Sequence, residues 1–174
     1  VENGHHIVGH TGGFPGISGY LGIFADLGYT VAVLSNMDEG TSEPVLFIEE
    51  LLVGETQRTK NVKLTEMILN EAITNGYDAA VVLYEKNKGM GVIGENTANI
   101  RGYQLLGQGK VNEAISVLRL NVYLYPGSSN VYDSLGEAYM TAGNTALAIE
   151  NYEKSLALDP RNENAVEKLK ELRR

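Results

Sequence analysis

The sequence predicts an α+β chain in which a three-stranded antiparallel sheet and one helix precede an all-α helical solenoid. Three observations carry this. From His5 to Asn36 the segments HHIVGH, ISGYLGIFAD and YTVAVLSN are rich in β-branched and aromatic residues and broken by Gly, the pattern of strands. After the polar segment GETQRTKN, 54–61, the apolar period becomes helical. Beyond it the chain repeats itself. Gly102 recurs as Gly136, Leu105 as Tyr139, Gly109 as Gly143, Ala114 as Ala148, Leu118 as Tyr152 and Pro126 as Pro160, each pair 34 residues apart.

Taken in order, the strands read as a meander. Asp26-Leu27-Gly28 supplies a tight turn between the second and third, because Gly tolerates positive φ and Asp can bond its own backbone. After a polar MDEG turn, Thr41 or Ser42 can cap a helix with Pro44 in its first turn, running through LFIEELLV to Gly54. So thin a domain leaves an apolar edge and face uncovered, and more protein is expected to have packed there. The expected boundaries are a head at 1–53, a linker at 54–61 and repeats at 62–174. The repeats divide into a degenerate unit at about 61–94, units at 95–128 and 129–162, and a capping helix at 163–174.

The small residues Gly136 and Ala148 suit a close crossing of two helices, with Leu135, Tyr139 and Tyr152 filling the space between. Gly143 and Pro160 suit helix ends. The segment NVYDSLGEAYMTAGNTALAIENYEKSLALDP resembles the tetratricopeptide repeat through Tyr132, Leu135, Gly136, Tyr139, Ala148, Tyr152, Ser155 and Pro160. The preceding unit has Arg101 where a large apolar residue is usual. In the degenerate unit Ala80 and Tyr84 take the small and aromatic places. The resemblance implies a peptide-binding face on the first helix of each unit, here Asn99, Tyr103 and Leu106, then Asp133, Glu137 and Met140. That face is mixed and acidic, without the Lys/Arg pair that would clamp a terminal carboxylate. A basic or amide-rich segment, or a parent hydrolase's own domain, is the expected partner; a solvated face with no ligand is the alternative.

GHTGGFPG, 9–16, is a candidate for a different chemistry. The order of strand, His10-Thr11-Gly12-Gly13, two further strands and a helix resembles the C-terminal edge of the serine β-lactamase and penicillin-binding-protein fold. It is most similar to class C-related esterases and D-amino-peptidases, in which His often replaces Lys of the K-T-G motif. The resemblance covers about residues 1–53. It implies that His10 takes the Lys place, Thr11 supplies a hydroxyl, Gly12 lets substrate approach, and Gly13 offers an N–H to an oxyanion hole. His in the Lys place weakens the fixed positive charge at neutral pH, which suits a plain ester or amide better than a carboxylate-bearing β-lactam. The nucleophile is missing. None of Ser18, Ser35, Ser42, Ser116, Ser128, Ser129, Ser134 or Ser155 has Lys three places on, and no Tyr-x-Asn occurs. The resemblance therefore reads as a fragment of a larger enzyme, whose relatives are commonly exported, with a non-enzymatic repeat adaptor as the alternative.

Composition excludes other classes. A net charge of −8 argues against a nucleic-acid or anionic-membrane surface. In residues 1–59, Glu2, Asp26, Asp38, Glu39, Glu43, Glu49, Glu50 and Glu55 face one base, Arg58. The absence of Cys removes disulfides, thiolate metal sites and thiol nucleophiles. No run approaches a membrane span, no signal peptide is apparent, and the opening Val1-Glu2-Asn3-Gly4 suits a processed product or a fragment. His6 and His10 would lie about 13 Å apart on a strand, with His5 on the opposite face, so no metal site is expected. Gly89, Gly91 and Gly94 lack the Lys-Ser/Thr of a phosphate loop, and no cofactor is expected. A chain without the nucleophile should not form an acyl-enzyme. Micromolar active-site-directed phosphonate, read by intact mass, should leave every Ser unmodified; a single phosphonyl adduct would contradict this.

Overall fold

The computed structural model describes residues 1–37 and 40–173. Contacts divide the chain into two compact units, Val1–Val62 and Lys63–Arg174. In the first, β1 (Ile7–Phe14), β2 (Ile17–Phe24) and β3 (Tyr29–Ser35) form an antiparallel sheet in that order. Its register sets Thr11 opposite Tyr20 and Tyr20 opposite Val33. A 3-10 turn at Ala25–Leu27 and Gly28 lead into β3. The Asp26 carboxylate, expected to bond its own backbone in the turn, instead accepts the His6 N–H at 2.7 Å, which ties the turn to the residue before β1.

Helix α1 (Ser42–Val53) buries Val45, Glu49 and Val53, an i, i+4, i+8 stripe. Thr41 is its N-cap residue, but its hydroxyl makes no capping bond, and only its carbonyl enters the helix, accepting from the Val45 N–H at 3.0 Å. Of the MDEG turn, Asp38 and Glu39 lie outside the described residues. One sheet face buries Tyr20 and Phe24, while the other leaves Val8, Phe14, Ile17 and Leu21 exposed and Leu34 86% exposed.

The expected linker at 54–61 is largely helix, because α2 runs Gln57–Asn75. Its start is fixed by a reciprocal pair: the Thr56 N–H donates to Thr59 Oγ1 at 2.8 Å, and the Thr59 N–H to Thr56 Oγ1 at 3.1 Å. Polar composition suggested a loop, yet Gln57, Arg58 and Lys60 are good helix formers once the first turn is capped.

The second unit continues with α3 (Tyr77–Asn87), α4 (Glu95–Gly107), α5 (Val111–Leu124), α6 (Ser129–Thr141), α7 (Thr145–Leu158) and α8 (Glu163–Leu172). Helices α4 and α6 end alike. Gly109 at φ 73° and Gly143 at φ 74° take the left-handed conformation. The residue after each closes the helix: the Lys110 N–H reaches the Leu105 carbonyl and the Asn144 N–H the Tyr139 carbonyl, both at 2.9 Å.

Two close approaches hold the helix pairs. A Cβ added at Gly102 would stand 2.6 Å from Leu118 Cγ, and one at Gly136 would stand 3.1 Å from the Tyr152 ring. Leu118, Ala148 and Tyr152 are fully buried. Arg101, out of pattern for an apolar position, bonds both carboxylate oxygens of Glu66 at 3.2 Å, so the helix edge there is held by an ion pair. Helix α8 packs Ala165 and Leu169 against Ala148 and Tyr152, and Arg173 pairs with Glu153. Arg174, the last residue of the expected 163–174 cap, lies outside the described residues.

Gly102→Ala should destabilise the chain by about 1–3 kcal/mol, because Leu118 is held on all sides and cannot yield. Gly107→Ala, on the same helix with nothing within 4 Å of the new Cβ, should be neutral or stabilising by up to about 1 kcal/mol. Urea unfolding of the two variants checks this, and equal effects would refute the close-packing account.

Candidate functional site

The HTGG motif lies on β1, an edge strand. Adjacent hydrogen-bonded and non-bonded pairs alternate in an antiparallel ladder. The Ala25 N–H bond to the His6 carbonyl sets the phase. With Ile7 opposite Phe24 in the register, Thr11 and Gly13 then direct their N–H groups away from β2 toward the outer edge of β1. The motif is divided between two concavities. His10 and Thr11 line one of about 290 Å³ with Tyr20, Glu49 and Arg58. Gly12 and Gly13 line an open, mainly apolar cleft of about 540 Å³ with Phe14, Ile17 and Leu34.

The first concavity contains a network that the sequence reading did not single out. Glu49 is buried, and its Oε1 accepts from the Tyr20 hydroxyl at 2.9 Å and from Arg58 at 2.6 Å. Burial, then the hydrogen bond to Glu49, pushes the Tyr20 phenol up to about 12. A buried carboxylate needs such partners, since an unpaired one is strongly disfavoured. The signal was present in LFIEELLV, where Glu49 falls on the same stripe as Val45 and Val53.

In the second unit, Tyr103 and Glu137, equivalent positions on α4 and α6, meet directly. The Tyr103 hydroxyl donates to Glu137 Oε2 at 2.9 Å and lies 3.4 Å from Ser134 Oγ. Asp133 accepts from both Asn162, the N-cap residue of α8, at 2.8 Å and Asn164, in its first turn, at 2.9 Å, which hold its carboxylate. Asn99 is half-buried, and its side-chain oxygen is buried without a partner among the described residues, as is the Tyr152 hydroxyl. Leu106 and Met140 are half-buried. Burial raises the Tyr103 phenol to about 12, opposed by its hydrogen bond with Ser134 and reinforced by Glu137.

Residues 129–162 match the tetratricopeptide repeat family model. Over 67 residues the chain is 37% identical to cellulose synthase operon protein C of Escherichia coli (strain K12), a match taking in 38% of this chain. The chain spans only 6% of the length of that relative. Among solved structures, the MamA R50E mutant is similar at 19% identity and a TM-score of 0.50, over 63% of this chain and 80% of that one. The second tetratricopeptide domain of human RPAP3, solved with an HSP70 peptide, is similar at 19% identity and a TM-score of 0.48, over 68% of this chain and 98% of that one. The helical part is thus a tetratricopeptide-like solenoid, and the strands of the first unit form a small three-stranded antiparallel sheet. None of these relatives is described as a hydrolase.

A phenol whose pKa is raised on folding stabilises the fold fully below its unfolded value, and loses that contribution as pH climbs toward the folded one. For Tyr103 the window runs from 10.0 to about 12. Tyr103→Phe should therefore lose less stability than the parent across this window, measured by urea unfolding at stepped pH. Parallel pH curves for the two proteins would refute it.

Proposed function

We propose that this chain is a protein-interaction module, an adaptor without catalysis of its own, which lays an extended basic or amide-rich segment across the α4 and α6 face. The contacting residues are Asn99, Tyr103, Leu106, Asp133, Glu137 and Met140. The observation that carries this is the set of held acceptors. Glu137 is oriented by Tyr103, and Asp133 by Asn162 and Asn164. A carboxylate has about four acceptor sites, so each keeps capacity for an incoming donor. No Lys or Arg stands among the six residues to favour an acidic ligand. The tetratricopeptide match at 129–162 supports the reading, since such arrays bind peptides on this face.

A second reading concerns residues 1–53 and rests on HTGG and the strand order that follows it. There His10, Thr11, Gly12 and Gly13 form one wall of a serine-hydrolase site whose nucleophile is supplied by a segment outside this sequence. The exposed apolar face at Val8, Phe14, Ile17 and Leu34 is the kind of surface a larger domain covers. On this reading the protein isolated from its source, unlike this chain, reacts with the phosphonate; lack of reaction there removes it.

The adaptor reading is tested by calorimetric titration of the 174-residue chain with two capped octapeptides, alternating Lys-Gln and alternating Glu-Gln. The Lys-Gln peptide should bind, more weakly as salt rises, and Glu137→Lys should weaken it about tenfold. Equal binding of both peptides, or undiminished binding by the variant, would overturn the proposal.

A further inference from the structure

Helix α6 has a second functional side. Leu135 and Tyr139 lie about 120–160° around the helix from Asp133 and Glu137 at about 100° per residue. They line a cavity of about 230 Å³ with Tyr77 of α3, Arg119 of α5, and Leu147 and Glu150 of α7. This volume suits one side chain rather than a drug-sized molecule.

The cavity's polar groups are unevenly committed. The Tyr123 hydroxyl at its margin donates to Glu85, and the Asn151 amide to the Leu147 carbonyl. Arg119 instead stands over the face of Tyr77, its guanidinium carbon 4.1 Å from the ring centre. None of its N–H groups bonds an acceptor among the described residues, and no ion pair joins it to Glu150. A contact with the ring face uses none of the guanidinium's N–H donors and leaves them open. The Tyr139 hydroxyl is likewise without an acceptor among the described residues. Its phenol is raised by burial, lowered by Arg119 and raised by Glu150, so both charges lie within reach of it. Leu135, Leu147 and Val122 supply an apolar wall.

We propose that this cavity docks the carboxylate of an Asp or Glu side chain of a partner protein, flanked by aliphatic residues, with Arg119 as the group that recognises the charge. The argument is complementarity. Two donors without acceptors among the described residues converge on one cavity of side-chain size, whose lining acid, Glu150, forms no ion pair with Arg119, in a chain whose net charge of −8 otherwise repels acidic segments. A planar guanidinium meets a carboxylate through two parallel bonds, and Tyr139 can add a third. This surface is distinct from the Asp133 and Glu137 face, and an acidic segment here and a basic one there would engage α6 from opposite sides.

The test is nuclear magnetic resonance titration of the full isotope-labelled chain with acetyl-Leu-Asp-Leu-amide and its isostere acetyl-Leu-Asn-Leu-amide. The Asp peptide should shift the Arg119 side-chain signal and the Leu135 and Tyr139 amides, with affinity about tenfold above the Asn peptide. Arg119→Gln should abolish the difference, and Arg119→Lys should keep part of it; unchanged thermal unfolding will show that both variants are folded. Equal shifts by the two peptides, or a preference that survives in Arg119→Gln, would overturn the proposal. So would binding of acetyl-Leu-phosphoserine-Leu-amide without binding of the Asp peptide, because the pocket would then recognise phosphate.

Discussion

The repeat region depends on one kind of contact: a helix backbone without a side chain set against a large buried one on the next helix. A methyl group at Gly102 would overlap Leu118, and one at Gly136 would press on the Tyr152 ring. The identity of the large partner can change, from Leu to Tyr, because the cavity is shaped by the absence opposite it. Close approach fixes the angle of each pair, and the matched stops at Gly109 and Gly143 fix the length of α4 and α6. With angle and length set, equivalent residues of successive units come into register. That is why Tyr103 and Glu137, 34 residues apart in the sequence, share a hydrogen bond.

The first unit rests on a different interaction, a buried carboxylate. Glu49 lies in the apolar stripe of α1, and its charge is met from β2 by Tyr20 and from α2 by Arg58. Burying such a group costs several kcal/mol unless it is paired. An apolar residue at position 49 would pack α1 to β2 without directional bonds; the carboxylate instead sets the two elements and the first turn of α2 by hydrogen-bond geometry. The same network floors the cavity at His10 and Thr11, so the polarity of that cavity follows from how the unit is held together.

What was legible in the sequence follows from how local each cause is. The 34-residue frame could be read because Gly, Ala and large apolar residues at fixed spacing have few physical explanations. The start of α2 was missed because GETQRTKN is polar, and polarity alone does not separate a loop from a solvated first turn; the deciding Thr56 and Thr59 pair needs backbone geometry. The tie between Asp133 and two Asn residues at the start of α8, its N-cap Asn162 and Asn164, joins positions about thirty apart with no pattern to announce it. HTGG was legible as a motif, but strand alternation and edge geometry distribute it over two concavities, which four residues in a row cannot reveal. Glu49 was legible in principle, as an acid in an apolar stripe.

The competing demands on α6 explain its composition. In 13 residues it must present Gly136 to Tyr152, hold Asp133 and Glu137 on one side, and give Leu135 and Tyr139 to another. A helix has room for three such stripes only if each residue serves one of them. Little of α6 is left to solvent, and Ser134 and Ala138 are buried as well. A module whose sole task was stability would repeat apolar residues here and leave the opposite side charged at random. The placement of acids toward α4 and α8, with an aromatic hydroxyl and an aliphatic residue toward Arg119, instead divides the helix into an acceptor side and a side that faces donors. That division is the physical basis for treating the repeat region as a surface for binding, and it is independent of the origin of the strands that precede it.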